Sequence, residues 1–173
     1  MNIDMLFERF ETPTQKDLKL NFKKFYSDSS LSKKEAALIA LACAESLNCT
    51  PLRELAVFDA KANEATPEEI SEARDAASIM GLMNMYYRFR HYVEKEAYQK
   101  PAGLRMNVMA RPVNGKPLFE MMALAVSVLN GCSSCMTSHE QSLVHLEIPE
   151  DKIHDLVRLA SITKALEVAF RQV

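Results

Sequence analysis

Glycine is scarce, with only four in 173 residues, and extended runs of β-branched residues are missing. Both shortages speak against a protein built on sheets. Apolar stretches such as "MMALAV" (121–126) fall far short of the roughly 20 residues that a membrane-spanning helix needs. The opening "MNIDMLFERFETPTQKD" carries acids early and lacks a basic region followed by an apolar run, so it does not read as a signal peptide. Basic residues are not concentrated: 21 Lys and Arg stand against 23 Asp and Glu along the chain, for a net charge of −2. That balance leaves no electrostatic footprint for nucleic acid. The expectation is a cytoplasmic protein with no membrane and no nucleic-acid partner. Four cysteines are too few for a disulfide scaffold at this length, and in the cytosol a close pair points to redox chemistry or metal binding.

What the chain does contain is helix formers, chiefly Ala, Leu, Met, Glu and Lys. Ser32 with Glu35 and Thr66 with Glu69 fit the capping box, and Pro51 and Pro67 follow threonines at first-turn positions. The pattern predicts helices near 15–28, 32–47, 51–64, 67–79, 82–98, 117–130, 132–146 and 150–171. The expected fold is all-α, a single domain over 1–173. Two prolines and two glycines mark 99–116 as one long irregular connection.

Similar fragments recur at a spacing of 83. "ALA" (40–42) returns at 123–125, Cys49 as Cys132 and "ASI" (77–79) at 160–162, while "LN" and "PE" recur with one-residue slips. These predict two repeated helical units, a degenerate first one over 1–98 and a second over 117–173. In this register Cys135 becomes Leu52 and His139 becomes Ala56, so the chemistry falls in the second unit.

That chemistry centres on "NGCSSCMTSHEQ" (130–141). On a helix starting after Gly131, rotation of about 100° per residue gathers Cys132, Cys135 and His139 into a sector of about 60°. Met136 and Leu143 share that side, which makes it core-facing. A thiol in the first turn feels the positive end of the helix dipole, and His139 can act as its base. Glu120 lies on the apolar stripe of the preceding predicted helix, where an unpaired charge would be costly. If the two helices fold back as a hairpin, Glu120 faces His139 and a carboxylate–imidazole–thiol relay becomes possible. Ser138, Thr137 or a water can complete such a chain. Zinc is the rival reading, since Cys132, Cys135 and His139 are all good ligands. However, no second C-x-x-C or H-x-x-x-H pair exists, and Glu140 and His145 point elsewhere on the wheel. A redox dithiol, a zinc or thiol-sensor module without catalysis, and a coincidental pair in the core are the three readings to separate. The aromatic and basic "MNMYYRFRHYVEK" (83–95) reads as a packing or subunit-contact helix.

Glu120, Cys132 twelve residues on, Cys135 and His139 together resemble the E-x(11)-C-x-x-C-x-x-x-H pattern of the AhpD alkylhydroperoxidases, relatives of the carboxymuconolactone decarboxylases. "IMGLMNMYYRFR" (79–90), "GLRMNVMARP" (103–112) and "FEMMALAVSVLNGCSSCMTSHE" (119–140) extend the likeness over nearly the whole chain. The resemblance implies an all-helical, repeated fold, a homotrimer, and thiol-dependent reduction of hydroperoxides through a Cys132/Cys135 dithiol–disulfide cycle. It implies no bound cofactor or metal. Electrons would come from external dihydrolipoamide, carried by a lipoyl-bearing acyltransferase and renewed by lipoamide dehydrogenase. An AhpC-type peroxiredoxin would be a partner to be reduced, and a dedicated reductase of that partner with little peroxidase activity is the near alternative. By position, Cys135 would attack peroxide, Cys132 would be the resolving and partner-facing thiol, and Glu120 with His139 would relay protons. The dipole argument by itself favours Cys132 as the more acidic thiol. One departure stands out: the family commonly carries His before the second cysteine, where this chain has Ser134.

Overall fold

The two helices that read as most uniformly apolar form the centre of the fold. In the computed structural model, which describes residues 6–173, every residue from Ala36 to Ala44 and from Phe119 to Ser127 is buried. A helix buried on all sides must be covered by other helices, and the remaining elements do this. Eight α-helices lie wholly within the described residues: α1 (Pro13–Asp28), α2 (Lys33–Ser46), α3 (Thr50–Ala62), α4 (Pro67–Val93), α5 (Asn107–Ala110), α6 (Gly115–Leu129), α7 (Ser133–His145) and α8 (Glu150–Phe170). A 3₁₀ turn covers Glu96–Tyr98, and no strand occurs among the described residues. Residues 1–5, on which the reading of the N-terminus partly rests, lie outside them. No helix among those described is long and apolar enough to cross a membrane.

The spacing of 83 is a structural repeat. Helices α2, α3 and the start of α4 map onto α6, α7 and the start of α8. The corner before α3 closes with Cys49 N–H donating to the Ala44 carbonyl, and the corner before α7 with Cys132 N–H donating to the Ser127 carbonyl. Left-handed residues fall in register too, Asn48 (φ 53°) with Gly131 (φ 65°) and Glu64 (φ 61°) with Glu147 (φ 59°). The repeated "LN" is therefore one residue off the true register, because the left-handed position of the second corner belongs to Gly131, which takes that conformation at no steric cost. The central α2 and α6 pack against each other, α4 of the first unit packs on α6, and α8 of the second packs on α2.

Capping boxes close the N-termini of α2 and α4 as expected, and a third, Thr12 with Gln15, starts α1. Two differences from the sequence reading have clear causes. The expected helices 67–79 and 82–98 are one, because Gly81 weakens a helix by only about 1 kcal/mol relative to alanine. That helix stops at Val93, where Glu94 turns left-handed (φ 50°). The connection expected to be irregular over 99–116 contains α5 and the first residues of α6.

Glu72 ties this connection down. Its buried carboxylate accepts from Val113 N–H at 2.5 Å, Asn114 N–H at 2.7 Å and the Asn114 side-chain amide at 2.8 Å. Glu72→Ala strands these donors at the entrance to α6. The expected loss is about 3 kcal/mol of stability, read by chemical denaturation.

Candidate active site

Helices α6 and α7 fold back on one another across the Gly131 corner, and that geometry assembles the site. Cys132 is the N-cap of α7, Cys135 lies in its first turn and His139 one turn further, all on the buried face that continues to Leu143. Cys132 and Cys135 form a disulfide with a Cα–Cα distance of 5.3 Å. Glu120 reaches across from α6, and its Oε2 lies 2.6 Å from His139 Nδ1. Because Nδ1–H donates to the carboxylate, the other ring nitrogen, Nε2, is left for proton exchange. Sequence spacing placed Glu120 opposite His139 only on condition of a hairpin; the hairpin forms.

Glu120 is 3% exposed. Burial acts to raise its pKa, but hydrogen bonds from His139 and Lys116 outweigh burial and hold the carboxyl below the usual range. Lys116, whose ammonium lies 2.6 Å from Glu120 Oε1, was not singled out from the sequence. Its signal was the four-residue spacing to Glu120, one helical turn.

The disulfide opens onto a cleft of about 310 Å³ lined by Met83, Tyr87, Met109, Ser134, Cys135, Ser138 and His139. Its apolar walls come from α4 and α5, both away from the 130–141 stretch, which is why a reading centred there missed them. Ser138 faces this cleft, whereas Thr137 turns back to the Ser133 carbonyl at 3.1 Å. Ser134 Oγ lies 3.7 Å from Cys132 Sγ.

The two sulfurs are not equivalent. Cys132 is fully buried (0% exposed), and Cys135 is 7% exposed and fronts the cleft. Cys132, expected to be the resolving and partner-facing thiol, caps the helix and is the more enclosed of the two with the disulfide closed. Cys43 and Cys49 are buried free thiols, and burial pushes Cys43 up to about 12. Among the described residues, no group of three or more His, Cys, Asp or Glu is arranged to hold a metal ion.

A duplicated three-helix unit with a C-x-x-C disulfide at the head of its second copy defines a class, and the sequence comparisons agree with it. The model of the carboxymuconolactone decarboxylase family matches twice, over residues 15–94 and 95–172, so the chain belongs to that family. Within it, the similarity is to AhpD-type proteins. The chain is 39% identical to the alkyl hydroperoxide reductase AhpD of Anaeromyxobacter dehalogenans (strain 2CP-1 / ATCC BAA-258), over 96% of this chain and 89% of that protein. It is 37% identical to that of Beijerinckia indica subsp. indica, over 98% and 93%, and 37% identical to that of Coxiella burnetii (strain Dugway 5J108-111), over 87% of each.

Proposed function

We propose that this chain is a thiol peroxidase that reduces alkyl hydroperoxides through the Cys132/Cys135 pair. The observation that supports it most is the placing of the disulfide at an apolar cleft, with one sulfur accessible and a Glu120–His139 pair beside it. In the reduced enzyme, the Cys135 thiolate attacks the outer oxygen of the hydroperoxide. The O–O bond breaks, Cys135 becomes a sulfenic acid and the alkoxide leaves as an alcohol with a proton from His139. Cys132 then attacks the sulfenic sulfur, water leaves and the disulfide forms. An external dithiol closes the cycle by attacking Cys135, the sulfur that faces the cleft, and departs as a cyclic disulfide.

Dihydrolipoamide on a lipoyl-bearing acyltransferase, renewed by lipoamide dehydrogenase, is the proposed reductant, and an AhpC-type peroxiredoxin the proposed protein partner. A cytoplasmic homotrimer is the proposed setting. Leu82, Met85, Phe89 and Tyr92 support assembly, since they form an exposed apolar stripe along one side of α4. The test is peroxide consumption with dihydrolipoamide, with and without an AhpC-type protein, in the wild type and the two single-cysteine variants.

Ser134 favours a second reading, a reductase that passes electrons to a peroxiredoxin with weak peroxidase activity of its own. A hydroxyl can hydrogen-bond a thiolate but cannot take its proton at neutral pH. Ser134→His is therefore expected to raise peroxide turnover several-fold relative to disulfide exchange with the partner. Unchanged rates for both would remove Ser134 from the explanation.

A further inference from the structure

The corner that presents Cys132 is held from the other repeat. Asn84, fully buried on α4, donates from its amide to Ser127 Oγ at 2.9 Å, and its Oδ1 accepts from the Asn130 amide at 2.9 Å. One turn along α4, Arg88 Nη1 donates to the Asn130 carbonyl at 2.6 Å. Ser127 in turn accepts Cys132 N–H at its own carbonyl. All three bonds converge on 127–130, the end of α6 and its C-cap just ahead of Cys132, and none involves a residue of the relay. The repeat supplies an internal comparison. At 83 residues on, Asn84 and Arg88 correspond to Glu167 and Arg171, which pair with each other beside the corner carrying the solitary Cys49.

We propose that Asn84 and Arg88 are positioning residues for the dithiol: a strap from the first repeat that fixes the Asn130–Gly131–Cys132 corner and so sets the ease with which Cys132 closes on Cys135. This rests on the redox reading of the pair. A clamped corner raises the effective concentration of one thiol at the other, which favours disulfide over dithiol and speeds capture of a sulfenic acid. Neither residue touches the reacting atoms. The unit with no chemistry of its own thus contributes to the chemistry of its neighbour.

The test equilibrates the full-length protein with mixtures of reduced and oxidised dithiothreitol. Two electrons and two protons pass from the dithiol to the Cys132–Cys135 disulfide, and the closed fraction is counted by alkylation and mass. Arg88→Met is expected to lower the disulfide-forming equilibrium constant about tenfold, which makes the potential about 30 mV less negative. It should also lengthen the life of the Cys135 sulfenic acid, read by dimedone labelling after one equivalent of peroxide. Arg88→Lys keeps a charged donor and is expected to fall between, and it carries the test if the Met variant does not fold. Arg171→Met is the control. It sits at the equivalent position of the other repeat and breaks only the pair with Glu167 on its own helix, so it is expected to leave the potential unmoved.

An unchanged potential in the Arg88 variants, or an equal shift in Arg171→Met, overturns the strap. If the wild-type pair exchanges with dithiothreitol yet consumes no hydroperoxide, the peroxidase reading fails, while a shift in the Arg88 variants still supports the strap.

Discussion

Replacing Cys135 with serine is expected to abolish hydroperoxide consumption with dihydrolipoamide, a fall of at least about a thousandfold in kcat/KM. A serine hydroxyl stays protonated at neutral pH, and Cys135 is the sulfur that fronts the cleft. Cys132→Ser is expected to end turnover by a different route. Buried Cys132 is not needed for the first attack, so this variant should consume about one equivalent of peroxide and stop, with a sulfenic acid on Cys135. Mass spectrometry with dimedone separates the two outcomes. The expected order of events rests on the burial difference, and a one-equivalent burst retained in Cys135→Ser would reverse it. Unchanged turnover in either variant would sink the dithiol mechanism. Metal analysis of the same samples covers the rival reading, since stoichiometric zinc lost in Cys132→Ser would favour a zinc module.

The helical class was legible because glycine scarcity, capping boxes and helical periodicity all pointed the same way, and Ser32/Glu35 and Thr66/Glu69 mark true helix starts. The repeat was legible where the same residue types recur, at Cys49 and Cys132. It was blurred where different residues adopt one conformation, as Asn48 and Gly131 do. The vertical grouping of Cys135, His139 and Leu143 follows from periodicity within one helix. Glu120 needed one further assumption, a hairpin. The strap, the cleft walls and the Glu72 anchor were not legible, because each joins separate elements far apart in sequence, by more than 40 positions for the strap and the Glu72 anchor. Local pattern carries no information about which helix of one unit covers the corner of the other. A break at Gly81 was read for the opposite reason: local propensity was given weight that tertiary packing overrides.

The second large effect belongs to the Glu120–His139 pair. His139→Asn is expected to slow peroxide reduction about 10²- to 10⁴-fold, the usual range for removing a general acid–base group. Glu120→Gln should approach it, although the side chain keeps its size. A glutamine amide can donate to Nδ1, which favours the tautomer with its proton on Nε2 and removes the base that would face the thiol. Lys116→Met should cost much less, because the Lys116 side chain is 45% exposed and its ion pair is screened by solvent.

A pH series distinguishes a relay from a merely structural pair. The Glu120 carboxyl lies below its ordinary value, so the stability it adds is complete above the unfolded carboxylate pKa, about 4.3, and is lost as pH falls through the lower folded value. Glu120→Gln should therefore flatten acid-induced loss of stability only in that acid window. The rate defect should persist at neutral pH, where Glu120 is a carboxylate in the wild type. Alkylation of the reduced protein reads thiolate formation at Cys135 directly. If both variants kept wild-type alkylation and peroxide rates at neutral pH, Glu120 and His139 would be a structural ion pair, and the thiol would have to ionise through the helix N-terminus alone.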